Sequence, residues 1–298
     1  MCAIIEKIQK EVPIMSTNEN KGKKAEVTAL QAISAEDRKD WISLAFVQAG
    51  ICVCVPAFLL GALLAEAMPI WPAIISGSLG YLIVVVGMVA TGMIGCDLGL
   101  ASCTCCQAGF GKSGARFIVS TIFAVNMIGW FGIQNGVCGE AFSNAMLAMT
   151  GWDIPVVVSN TIWGIIMLLT AVYGVHALEK LDKISIPLLM IIMCYGTFLA
   201  FKVYGTGNLN DEGTVQSMSF MSGVALSFNF TAVGTITGPD YTRFQKSRKD
   251  TVKSVFYGVF PMGVITLIMG IPECAHEYHA SRRNLLRLHI FCLQIEYN

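Results

Sequence analysis

The sequence predicts an all-α integral membrane protein. Hydrophobic residues make up 54% of the 298-residue chain and charged residues only 13%, against about 25% charged residues in an average soluble domain. The charges avoid long stretches and crowd the junctions between them, leaving seven apolar runs near the length of about 20 residues that a helix needs to cross a bilayer. Lys and Arg gather on alternate connections, which places the N-terminus in the cytoplasm of a multi-pass protein of the plasma or inner membrane. A net charge of zero leaves no general nucleic-acid footprint.

Residues 1–40 are polar and mixed in charge, the composition of a mobile cytoplasmic tail. Span one covers 41–65 and contains Cys52, Cys54, Pro56 and Ala57. An interior proline removes one helical hydrogen bond and clashes with the preceding turn, so this span is either kinked or broken. Span two covers 70–95, where Gly77, Gly80, Gly87 and Gly92 let neighbouring helices approach closely.

The following connection carries Cys96, Cys103, Cys105 and Cys106, then Gly111-Lys112-Ser113. A phosphate-binding loop needs another glycine where Cys106 stands. The cysteines lack paired C-x-x-C spacing and a local histidine, so no metal site is expected. Eleven cysteines in a chain of this length and hydrophobicity read as small apolar residues rather than a disulfide framework.

Span three, 116–149, is the most informative. Gly129, Gly132, Gly136 and Gly139 fall on one face and form a candidate packing seam, whereas Asn126, Trp130 and Gln134 follow at i, i+4 and i+8 as a second stripe. An indole one turn from a side-chain amide suits a flat, hydrogen-bonding heteroaromatic ligand. The same spacing serves interhelical packing equally well. Glu140 lies off the stripe and reads as a structural carboxylate.

Spans four and five cover 155–175 and 184–201, separated by a charged turn from Glu179 to Lys183. Residues 202–217 form a polar extracellular loop. Span six, starting at 218, is studded with Gly, Ser, Thr and Asn, the composition of a discontinuous helix lining a cavity. Gly234 and Gly238 mark its interruption, in correspondence with Pro56 of span one. Such paired interruptions point to a transporter's binding site. Span seven covers 251–269. Residues 271–298, with Cys274, His276 and His279, lose the apolar pattern and place basic residues on the wrong side. They read as an atypical, out-of-frame tail and not as a metal site.

Gly129-Trp130-Phe131-Gly132-Ile133-Gln134 and Pro239-Asp240-Tyr241-Thr242-Arg243-Phe244 resemble the nucleobase–cation symporter family of cytosine, purine and hydantoin permeases, most closely its bacterial cytosine permeases. The resemblance covers about residues 40–270. It implies a LeuT-like inverted-repeat transporter fold, with about seven of twelve spans present. Residues 41–201 would then be the first five-helix repeat and 218–270 the start of the second.

The resemblance further implies a transporter and not an enzyme. It would import cytosine or a related nucleobase with Na+ or H+ by alternating access, without cofactor, nucleic acid or obligate protein partner. Hydroxymethylpyrimidine, allantoin or a hydantoin are alternative substrates, and a non-transporting fragment is an alternative state. Trp130 would stack on the base and Gln134 would hydrogen-bond it, beside Asn126. Phe230, Phe228, Thr231 and Gly234 would contribute from span six, with Thr231 where relatives carry an aromatic residue. Backbone around Cys54, Pro56 and Ala57 would hold the ion or close the site.

Overall fold

A computed structural model describes the backbone of residues 31–172, 175–204 and 218–295, and the side chains of 31–169, 184–199, 201–202 and 218–271. The described residues form helices α1 (Trp41–Cys52), α2 (Val55–Ala67), α3 (Ile70–Leu98), α4 (Ser102–Cys105), α5 (Gln107–Gly114), α6 (Ser120–Thr150), α7 (Val156–Val172), α8 (Val175–Tyr204), α9 (Phe220–Thr231), α10 (Val233–Thr242) and α11 (Arg248–Ile295). A π-helical turn, Ala115–Val119, joins α5 to α6. Four stretches are long and apolar enough to cross a membrane: Ile70–Leu98, Gln107–Thr150, Phe220–Thr242 and Arg248–Ile271. The pair α1 and α2 supplies a fifth as one broken span, and Val156–Leu169 and Ile184–Leu199 are shorter apolar helices. All seven apolar runs are therefore helical among the described residues.

The chain divides into two compact units. The first combines Met1–Ile51, Val84–Ser185 and Ala232–Val259. Its organising contact is a seam between α3 and α10. A Cβ at Gly95 would fall 2.5 Å from Cα of Pro239, one at Gly92 would fall 2.9 Å from Thr242 Cγ2, and one at Gly87 would fall 2.8 Å from Thr235 Cγ2. Glycine lets the backbones close to this distance, and threonine hydroxyls then reach across. Thr91 Oγ1 donates to Thr235 O at 2.7 Å and Thr242 Oγ1 to Gly92 O at 2.7 Å.

The second unit combines Cys52–Ile83, Ile186–Thr231 and Phe260–Asn298. Its core gathers Val53, Phe58, Ile186, Met193 and Met269. The absent side chains of Gly61 and Gly270 leave room for the Leu267 and Phe58 carbonyls, so α2 and α11 meet backbone to backbone. Gly80 packs against Ser227, and Gly77 against Leu267. The close approach expected of the four span-two glycines is thus present.

The structure decides some expectations and changes others. Of the kink or break expected at Pro56, it shows the break. The helix stops at Cys52 and restarts at Val55, with Pro56 in the first turn of α2, where its missing N–H costs nothing. In an unbroken helix that N–H would have served the Cys52 carbonyl, so the ladder opens just upstream.

Span six is nearly continuous. Only Ala232 separates α9 from α10, and it keeps helical dihedrals of φ −54° and ψ −30°. Gly234 and Gly238 do not unwind the backbone; they admit α3. Gly238 would place a Cβ 2.6 Å from Thr91 Oγ1, and Gly234 would place one 3.5 Å from Val84 Cγ1.

The glycine seam of span three reduces to Gly139, which packs on Asn160 of α7. Gly129, Gly132 and Gly136 meet nothing within 4 Å among the described residues. The charged turn at Glu179–Lys183 lies in the helical backbone of α8; its side chains, like those of Cys274, His276 and His279, fall outside the described residues. Of the polar loop 202–217, residues 205–217 also fall outside them.

Gly95→Ala is expected to destabilise the fold by about 1–3 kcal/mol, since an added methyl meets backbone that cannot move aside. Gly132→Ala should instead raise stability by about 0.5–1 kcal/mol through helix propensity. Thermal unfolding midpoints in detergent distinguish the two.

Candidate functional site

Asn126, Trp130 and Gln134 lie one turn apart on the single helix α6, spaced by about 6 Å along its axis. Asn126 is exposed, while Trp130 and Gln134 are half-buried. The opposite face is fixed by α7. Ser159 Oγ donates to the Gly139 carbonyl at 2.7 Å, and Ser143 Oγ donates to Ile154 O at 2.6 Å just before α7. Phe142 meets Trp163 edge to face with centroids 5.5 Å apart. At about 100° per residue, the positions that meet α7 lie roughly opposite the Trp130 stripe. A helix anchored along one side therefore presents indole and amide from the other. Glu140 is exposed beside Gly139.

Gly234 belongs to the same unit, packed toward Val84 and Met88 of α3. The remaining sequence candidates belong to the second unit. On α9, Phe228 is exposed and Phe230 and Thr231 are half-buried. The Thr231 hydroxyl donates to Ser227 O at 2.9 Å, so its polarity is absorbed by its own helix. Cys54 caps α2 in extended conformation, and its carbonyl accepts the N–H groups of Ala57 at 3.1 Å and Phe58 at 3.2 Å. That oxygen is already engaged locally. Pro56 and Ala57 are buried.

The Pro239-to-Phe244 segment has a role that sequence reasoning missed. Asp240 accepts two hydrogen bonds from Ser102, from the backbone N–H at 3.0 Å and from Oγ at 2.8 Å. It thereby starts helix α4 in the connection between spans two and three. Arg243 is buried, with its guanidinium 4.8 Å from the Phe244 ring centroid, and burial lowers its pKa although Asp240 opposes the shift.

Residues 33–40, read from sequence as part of a mobile tail, are laced into this region. Ile33 N–H donates to Gly99 O at 3.0 Å, Lys39 N–H to Phe244 O at 2.7 Å, and Arg38 Nη1 to Gln245 O at 2.9 Å. Lys246 pairs with Asp40 and Arg248 with Asp97. The available signal was the matching of acids before span one and after span two with cations after span six.

The described residues contain no group of three or more His, Cys, Asp or Glu able to hold a metal. Burial pushes the Cys105 thiol up to about 12, helped by neighbouring Cys106 and Asp240. Such a group stays a protonated thiol and is a poor ligand.

Removing the Asp240 carboxylate leaves the start of α4 uncapped. Asp240→Ala is expected to lower stability by about 1–2 kcal/mol, whereas Asp40→Ala, which breaks an exposed pair, should cost no more than about 1 kcal/mol. Denaturation of both purified variants checks the ranking.

Residues 33–286 match the sequence profile of a family described as permeases for cytosine/purines, uracil, thiamine and allantoin. The chain is 27% identical over 242 residues to the cytosine permease of Escherichia coli K12, covering 80% of this chain and 55% of that protein. It is 25% identical to the purine-uracil permease NCS1 of Arabidopsis thaliana, over 74% of this chain and 41% of the relative. It is 23% identical to the allantoin permease of Bacillus subtilis, over 75% and 50%. The chain thus spans about half the length of the curated relatives it matches.

Among solved structures it resembles Mhp1, a nucleobase-cation-symport-1 family transporter, in a closed conformation with bromovinylhydantoin bound. The TM-score is 0.72 at 18% identity, covering 81% of this chain and 56% of Mhp1. That likeness places the helices in the LeuT-like inverted-repeat fold. The profile match continues past residue 270, where the resemblance read from sequence stopped.

Proposed function

Because the chain belongs to the family of permeases for cytosine and purines, uracil, thiamine and allantoin, we propose that it serves transport of a nucleobase, with cytosine the leading candidate. The observation that supports this is the stripe on α6. Trp130 offers a broad apolar plane, and Gln134, one turn along, offers a donor and an acceptor from the same face. A planar heterocycle lying on the indole would direct its hydrogen-bonding edge at the amide. Asn126 supplies a second amide one turn the other way. Stacking discriminates flat rings from aliphatic solutes, and the amide discriminates among rings by their edges.

The proposal includes coupling to Na+ or H+ by alternating access. An ion drives uptake only if it favours the substrate-binding conformation, and the substrate must then raise ion affinity by the same factor. No covalent chemistry is involved, so the proposed activity is transport without catalysis. Phe228 and Phe230 stand as further aromatic candidates on α9, and Cys54, Pro56 and Ala57 as candidates for ion binding or closure at the break in span one. A second substrate reading, allantoin or another hydantoin-like ring, draws support from the similarity to the Bacillus allantoin permease.

Binding of radiolabelled cytosine to the purified chain tests the reading, with unlabelled allantoin as competitor and with or without sodium. Trp130→Ala should weaken binding by about 1–3 kcal/mol, the range for base–aromatic stacking. Gln134→Ala should weaken cytosine more than a ring lacking its amino edge. Equal affinity in wild type and Trp130→Ala would remove Trp130 from the site.

A further inference from the structure

The first turns of α11 expose a face on which cations give way to aromatics. Lys249 and Lys253 are exposed and one turn apart. Phe256 and Tyr257, 40% and 59% exposed, occupy the next turn of that face. Helix α1 extends the patch. Trp41 approaches Tyr257 with ring centroids 6.1 Å apart, and Lys253 Nζ sits 5.9 Å from the Trp41 ring centroid. All of these residues belong to the first unit.

Among the described residues, no carboxylate pairs with the two lysines of this face. Lys246 and Arg248 have carboxylate partners in Asp40 and Asp97, and the Asp240 charge helps offset that of buried Arg243. Asp250, the acid nearest in sequence, accepts the Ser247 hydroxyl at 2.8 Å while its own N–H donates to Ser247 Oγ at 3.2 Å. It is committed to capping α11. Lys249 and Lys253 have no carboxylate within salt-bridge distance among the described residues. The patch opens the apolar stretch Arg248–Ile271, so it lies at the level of the lipid headgroups, where tyrosine and tryptophan characteristically sit.

We propose that Lys249 and Lys253, framed by Trp41, Phe256 and Tyr257, form a binding site for the headgroup of an anionic phospholipid. The lysines meet the phosphate and the added negative charge of the headgroup, and the rings hold the glycerol and upper acyl region. A zwitterionic lipid offers the same phosphate but brings its own ammonium, which competes with the two lysines. The site therefore selects for net negative charge, independently of any transported solute.

Native mass spectrometry of the full chain, released from detergent with phosphatidylglycerol or phosphatidylcholine, measures the affinity of the first bound lipid. Wild-type protein should bind the first phosphatidylglycerol at least about fivefold tighter than the first phosphatidylcholine, the effect of one lysine near an anionic surface. The Lys249→Gln/Lys253→Gln double variant should bind both lipids alike, and Lys249→Arg/Lys253→Arg should keep the preference. Lys112→Gln, a cation elsewhere in the unit, should leave it unchanged. Helicity by circular dichroism confirms that each variant is folded. No preference in wild type, or an undiminished preference in the double glutamine variant, overturns the site.

Discussion

The close approach of α3 to α10 is the constraint on which the first unit depends. Within a bilayer, helices gain little from hydrophobic burial against one another, so association rests on packing and on hydrogen bonds shielded from water. Gly87, Gly92 and Gly95 remove the side chains that would hold the helices apart. Thr91 and Thr242 then place hydroxyls on opposite backbones. Pro239, which has no N–H to satisfy, fits against Gly95. At the end of this contact the chain delivers Asp240 to Ser102 and Phe244 to Lys39. The start of α4 and the lacing of residues 33–40 follow from the same approach.

Helix α6 is held differently. Its contacts with α7 cluster at Asn135, Gly139, Phe142 and Ser143, on one side of the cylinder. That arrangement gives a rigid support to the opposite side, which carries Trp130 and Gln134. Asn126, Trp130 and Gln134 stand on a mostly apolar helix, where polar side chains are costly to leave facing hydrocarbon. The proposed ligand, taking up both the aromatic plane and the amide, would account for these residue types at this spacing.

Much of this was legible in the sequence because hydropathy and helical spacing are local properties. The seven apolar runs, the packing glycines of α3 and the phasing of Asn126, Trp130 and Gln134 can all be read from residue order alone. What eluded sequence reasoning depended on partners far along the chain. Gly234 and Gly238 looked like helix breakers because their small size is ambiguous: it permits unwinding and close packing alike, and only the nearness of α3 decides between them. Gly129, Gly132 and Gly136 erred in the other direction, a stripe with no partner among the described residues. Residues 33–40 read as a free tail because their anchors, Gly99 and Phe244, lie some 60 to 200 positions away. Pro56 was placed correctly, but whether it bends a helix or begins one is decided by the extended backbone at Cys54.

The most direct test of the central reading is a structure of the purified chain determined with saturating cytosine. A planar ring is expected parallel to the Trp130 indole at stacking distance, with its polar edge within hydrogen-bond reach of the Gln134 amide. A ring bound elsewhere, with the Trp130 and Gln134 side chains unmoved and uncontacted, would contradict it.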